Sequence, residues 1–145
     1  MQVQPYLFFN GRCEEALEFY RTALGAEIGA LMRFKDNPDP QAAGCGPDSQ
    51  MPGGQTMDPE KVMHADFRVG QTQLMASDGM AQGEPRFEGI SLALSPSTEA
   101  EADRLFAALA EGGQVQMPMA RTFFSPRFGV VADRFGVSWM IVVSP

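Results

Sequence analysis

A chain of 145 residues with 44% hydrophobic content can bury one good core but not two ordinary independent domains. Its formal net charge of -7 disfavours binding to phosphate backbones, where affinity comes from Lys and Arg displacing counterions, so nucleic acid is not an expected partner. No uninterrupted apolar run approaches the roughly 18 residues of a membrane span, and MQVQPYLFFNGRCEE lacks a basic segment followed by a long apolar one, so a cytoplasmic protein that does not enter the membrane is expected.

Cys13 and Cys45 form no CxxC pair and are too few for a disulfide framework, which points to reduced thiols. The segment Val3 to Phe9 is apolar and rich in strand formers. From Cys13 to Leu24, the apolar residues Ala16, Leu17, Tyr20, Ala23 and Leu24 recur at helical spacing. Gly25 stands where a left-handed helix cap is expected, and Glu27 to Phe34 reads as a second strand. Lys35 to Lys61 is crowded with Pro, Gly, Asp and Gln and reads as a long loop, either a lid or partner contact or a surface segment without a role. Val62 to Val69 and Gln71 to Ala76 follow as two strands joined tightly at Gly70.

The same order then recurs. A strand over Gly89 to Ser95 leads through SPST into a helix whose Thr98 and Glu101 have capping-box spacing and whose apolar stripe is Ala102, Leu105, Phe106 and Leu109. Gly112 and Gly113 stop it, and Gln114 to Met119, Arg127 to Ala132 and Val137 to Val142 are three further strands. The modules are expected to correspond at an offset of about 85 residues that pairs the two helices and the ending Leu74-Met75 with Trp139-Met140, which internal duplication explains economically. The expected architecture is α+β: a single domain over residues 1–145 built from two β-α-β-β-β modules, the first about 1–80 and the second about 86–145. An unrelated α+β sandwich is the alternative.

The runs YLFFNGRCEEALEFYRTALGAE, MHADFRVGQTQLMASD and TFFSPRFGVVADRFGVSWMI closely resemble the PhnB-like branch of the vicinal-oxygen-chelate, or glyoxalase/bleomycin-resistance, superfamily, nearly from end to end. The resemblance implies a strongly curved, mixed, eight-stranded sheet, helices on its convex side, a small-molecule pocket in its concave side and a homodimer. Members of this branch are often likened to demethylubiquinone methyltransferases. This chain, however, has no glycine-rich turn after a first strand to cradle a nucleoside cofactor, and no cofactor is expected.

Strand alternation puts Met63, Ala65, Phe67 and Val69 on one face and His64, Asp66 and Arg68 on the other. If a helix covers the apolar face, the polar one is open to an anionic or carbonyl-bearing molecule. His64, the sole histidine, is the candidate general acid or base, with Asp66 as its candidate orienting group and Asp66 and Arg68 as ligand contacts. The alternatives are pocket lining without catalysis and a solvated strand face with local ion pairs. Cys13, at a helix start that favours thiolate but beside Glu14 and Glu15, reads as an ordinary helix-start residue rather than a nucleophile.

By the resemblance, Met75 and Met140 fall near positions where metal-dependent relatives carry a carboxylate ligand, and the strands around Tyr6, Phe8, Ile90 and Ser91 lack His or Glu. A thioether suits hard divalent ions poorly, so no metal is expected, and both methionines are read as filling a core or pocket floor. Phe124, at the pocket rim, belongs with Phe123, Phe128 and Trp139 to an aromatic group that walls a pocket or is core. The expected function is a small-molecule-binding protein or metal-independent enzyme. The alternatives are a metal-dependent lyase or dioxygenase and a drug- or toxin-sequestering resistance protein.

Overall fold

The structure, a computed structural model, describes residues 1–37, 58–79 and 83–145. Most of the long loop expected between Lys35 and Lys61 lies outside the described residues. The chain divides into two compact units, Met1–Pro85 and Arg86–Pro145. The first contains β1 (Tyr6–Phe8), α1 (Cys13–Leu24), β2 (Glu27–Arg33), β3 (Val62–Val69) and β4 (Thr72–Ser77). The second contains β5 (Leu92–Leu94), α2 (Glu99–Ala110), β6 (Gln114–Ala120), β7 (Phe128–Ala132) and β8 (Ser138–Val142).

Each unit folds as β-α-β-β-β around its own four-stranded mixed sheet. The strand orders are β1-β4-β3-β2 and β5-β8-β7-β6, the same connectivity twice. In each sheet the first strand runs parallel to the last, and the other pairs are antiparallel. The offset of about 85 residues holds for the helices. It is shorter for β4 and β8, because more residues separate β2 from β3 than β6 from β7.

Helix α1 ends where the chain turns left-handed at Gly25, with φ of 68°. Its start has no local cap, since Arg12 supplies no side-chain bond. The Asp78 carboxylate does this work from beyond β4: Oδ1 accepts from Gly11 N at 2.7 Å and Cys13 N at 2.8 Å, and Oδ2 from Val62 N at 2.9 Å. One buried side chain thus ties α1, β3 and the end of β4 together. In the second unit the cap is local, with Glu101 N donating to Thr98 Oγ1 at 3.1 Å.

Both cores follow the two-residue strand period. Ala65, Phe67, Leu74 and Leu7 are buried, with Tyr20 of α1 stacked on Phe67 at 5.9 Å between ring centroids. Full burial of such a ring contributes about 1.5–3 kcal/mol. In the second unit Val131, Trp139 and Ile141 are buried with Leu105 and Leu109 of α2. A Cβ on Gly129 would lie 2.9 Å from Phe106 of α2, so the helix approaches β7 closely at a residue without a side chain.

Strands β1 and β5, three residues each, are shorter than the apolar runs Val3 to Phe9 and Gly89 to Ser95 that contain them.

Candidate functional site on the open face of the first sheet

Helix α1 covers the Ala65–Phe67 face of β3, which leaves His64, Asp66 and Arg68 on the other face of the same sheet. Residues directly opposite in a ladder share a face. Asp66 stands opposite Met75, Met75 opposite Tyr6, and His64 opposite Met32. Tyr6, Met32, His64, Asp66, Arg68 and Met75 therefore lie together on the face that α1 leaves uncovered.

The partner of His64 is Tyr6, whose hydroxyl lies 2.8 Å from His64 Nδ1, reaching across β4 from β1 to β3. The Tyr6 ring stacks on Phe8 at 5.0 Å and lies 5.6 Å from the imidazole. Burial pushes the Tyr6 phenol up, partly opposed by the Ser77 hydroxyl, so it is protonated at neutral pH.

Asp66 does not orient His64. Strand β2 bulges between Ile28 and Leu31, with Gly29 and Ala30 set against the single residue Asp66, and Asp66 Oδ1 accepts from Ala30 N at 3.3 Å. The carboxylate is turned sideways to satisfy the bulge. Arg68 is exposed and has no hydrogen bond or ion pair to the described residues, so the local ion pair considered for it is not formed. It borders a small cavity of about 170 Å³ that Glu27, Gly29, Asp66 and Gln73 also line.

In the second unit, Met140 stands opposite Val130 and Ala93 on the face away from α2. Matched through their methionine partners, Asp66 corresponds to Val130, so the row His64, Asp66, Arg68 becomes Phe128, Val130, Ala132. The duplicated sheet is polar here in one copy and apolar in the other. Phe124 is 43% exposed and packs edge-on against Phe128 at 5.0 Å and Phe123 at 5.1 Å. Trp139 does not join them. It sits opposite Val131 on the α2 side, where Asp133 Oδ2 accepts from its Nε1 at 2.8 Å.

The donor set fits a hard divalent ion poorly. Met75 and Met140 offer thioethers, Asp66 is turned to Ala30, and among the described residues no three His, Cys, Asp or Glu side chains gather as a metal-holding group. Cys13 is fully buried, and desolvation, with Asp78 and Glu14 adding to it, pushes its thiol up, which outweighs the helix start. Composition and periodicity did not single out Tyr6 as a site residue. The signal available was the alternation in Tyr6-Leu7-Phe8, which sets two aromatic rings on the face opposite the buried Leu7.

Comparison with known proteins agrees with this architecture. Residues 1–142 match the family model described as 3-demethylubiquinone-9 3-methyltransferase. The chain is 34% identical to Protein YjdN of Escherichia coli K12 over 99% of this chain and 95% of that one. Protein PA1353 from Pseudomonas aeruginosa is 41% identical, with a TM-score of 0.80 over 99% of this chain and 98% of that chain. A PhnB protein from Bacillus cereus is 28% identical, with a TM-score of 0.78 over 99% of this chain and 100% of that chain. A glyoxalase/bleomycin resistance protein from Albidiferax ferrireducens shares the fold, at 14% identity and a TM-score of 0.60 over 100% of both chains. Among the described residues no helix is long and apolar enough to cross a membrane.

Proposed function

Because the chain belongs to the family described as 3-demethylubiquinone-9 3-methyltransferase, a PhnB-like branch of the glyoxalase/bleomycin-resistance fold, we propose that it binds a small anionic or carbonyl-bearing molecule on the open face of its first sheet, without a resident metal ion. In this reading the two units are halves of one domain that works as a homodimer in the cytoplasm. The observation that carries the proposal is the row on β3: one imidazole held by Tyr6 and one guanidinium left unpaired among the described residues, on a face that α1 does not cover.

An unpaired guanidinium offers a planar fork to a carboxylate or other oxyanion, and Phe8, Met32 and Met75 provide apolar surface beside it. Met140 and Phe124 are the ligand contacts we assign to the second unit. His64 is the candidate acid or base should binding lead to turnover. The methyltransferase in the family description is not carried over, since the first strand and helix are joined by Phe9-Asn10-Gly11-Arg12 rather than a glycine-rich phosphate cradle.

The test is calorimetric titration of wild type, Arg68→Ala and His64→Gln with a panel of small carboxylates and carbonyl compounds, alongside metal analysis of untagged protein. Binding weakened by Arg68→Ala, at an unchanged unfolding midpoint, supports the proposal. Binding that needs about one equivalent of Zn, Ni, Mn or Fe, with matching thermal stabilisation, overturns its metal-independent part.

A further inference from the structure

We infer that Tyr6 is a positioning residue that locks neutral His64 with its proton on Nε2, so that the imidazole meets a ligand as a hydrogen-bond donor to a carbonyl or carboxylate oxygen. The inference rests on the binding face proposed above and names the chemistry that face selects.

One phenolic proton and one ring nitrogen share the 2.8 Å contact between Tyr6 and His64 Nδ1, so either the phenol donates or the ring does. Three observations favour the phenol as the donor. Its raised pKa means that the hydroxyl carries a hydrogen to give. The neighbouring Ser77 hydroxyl accepts from Gly79 N at 2.8 Å, and its contact with Tyr6 lowers the phenol's pKa, which makes Ser77 a donor to the phenol oxygen and leaves the Tyr6 proton for another acceptor. Stacking on Phe8 at 5.0 Å, with 27° between the planes, fixes the line along which the hydroxyl points at the imidazole.

A phenol donating into the Nδ1 lone pair leaves the neutral ring only one place for its own proton, Nε2. Of the acid and base roles proposed for His64 this leaves the acid, because the neutral ring has no free lone pair with which to remove a proton from a ligand. It has an N–H to give, which suits binding or polarising an oxygen. Around that donor lie aromatic and thioether surfaces, Tyr6 and Phe8 on β1, Met75 on β4 and Met32 opposite on β2. The complementary ligand is a flat, unsaturated compound carrying a carbonyl or carboxylate oxygen, with Arg68 further along β3 for a second anionic group.

The chain has one histidine, so long-range proton–nitrogen spectra of protein labelled with 15N-histidine contain a single imidazole. At a pH where that ring is neutral, wild type is expected to show the proton on Nε2 alone, and Tyr6→Phe to revert toward the mixed tautomers of a free imidazole. Titration with benzoate is expected to perturb Nε2 selectively, with affinity about three- to tenfold weaker in Tyr6→Phe, the scale of one modest hydrogen bond. A proton on Nδ1 in wild type, or a tautomer unmoved by Tyr6→Phe, overturns the inference. The wild-type spectrum decides the first of these even if the variant does not fold. The Nε2 tautomer with no benzoate response counts against the binding face instead, and a benzoate response with the proton on Nδ1 overturns the tautomer while sparing the face.

Discussion

The Oδ1 atom of Asp66 lies 2.0 Å from the point where a Cβ on Gly29 would stand. The bulge in β2 therefore accepts the carboxylate only because residue 29 has no side chain. Gly29→Ala must displace Asp66 from Ala30 N, and we expect a loss of about 1–2 kcal/mol in urea unfolding. In an Asp66→Ala background the same substitution should cost much less, a coupling of about 1 kcal/mol. Additive costs would show that the close approach does not constrain the bulge.

Asp78 accepts from three backbone N–H groups, in the loop before α1, at the start of α1 and at the start of β3, so its loss should be felt across the first unit. Asp78→Ala leaves all three without that acceptor and is expected to cost about 3 kcal/mol or more, with Asp78→Asn intermediate. Denaturant midpoints read this directly, and an Asp78→Ala loss below about 1 kcal/mol would contradict the account.

The thiol of Cys13 is held protonated by burial, with Asp78 and Glu14 adding to the effect. A raised folded-state pKa means that its stabilising contribution is full below the unfolded value, about 8.5, and is lost as pH rises above it. In Cys45→Ser protein, stability should fall between about pH 8.5 and 10 with a slope approaching ~1.4 kcal/mol per pH unit, and Cys13→Ala should remove that slope. The native thiol should also resist alkylation until the chain unfolds. Rapid labelling of folded protein at pH 8 would mean that the helix start is open.

Much of the fold was legible because two periods do most of the work. The run Cys13 to Leu24 matches α1 residue for residue, and Val62 to Val69 matches β3, since each repeats its apolar positions against one flat partner. Gly25 and Gly70 turn with φ of 68° and 60°, where their place between elements predicts a left-handed residue. What stayed hidden depends on neighbours remote in sequence. Asp78 caps a helix that starts 65 residues earlier, and Tyr6 meets His64 across an intervening strand 58 residues on. Trp139 parts from Phe128 because successive strand positions face opposite sides, a consequence that depends on which register β7 and β8 adopt.

The residues proposed for binding should be nearly silent in stability. Arg68 holds no described partner, so Arg68→Ala is expected to leave the unfolding midpoint within about 0.5 kcal/mol of wild type. It should weaken a carboxylate ligand by about 1.5–3 kcal/mol, the scale of a lost charge-assisted hydrogen bond. His64→Gln keeps a polar side chain but removes the titratable ring. It should therefore abolish any turnover near neutral pH while reducing affinity only modestly. Equal loss of affinity for anionic and neutral ligands in Arg68→Ala would remove the guanidinium from the site.

Whether ligand binds the face of the first sheet that α1 leaves open is decided by mapping amide and methyl shifts while titrating benzoate or a hit from the carboxylate panel. The largest changes in the first unit are expected on Tyr6, Met32, His64, Arg68 and Met75, while Leu17, Tyr20 and Phe67, buried between α1 and the sheet, stay near their free positions. Saturable changes confined to α1 and the buried face of β3, with His64 and Arg68 unmoved, would contradict binding at the open face.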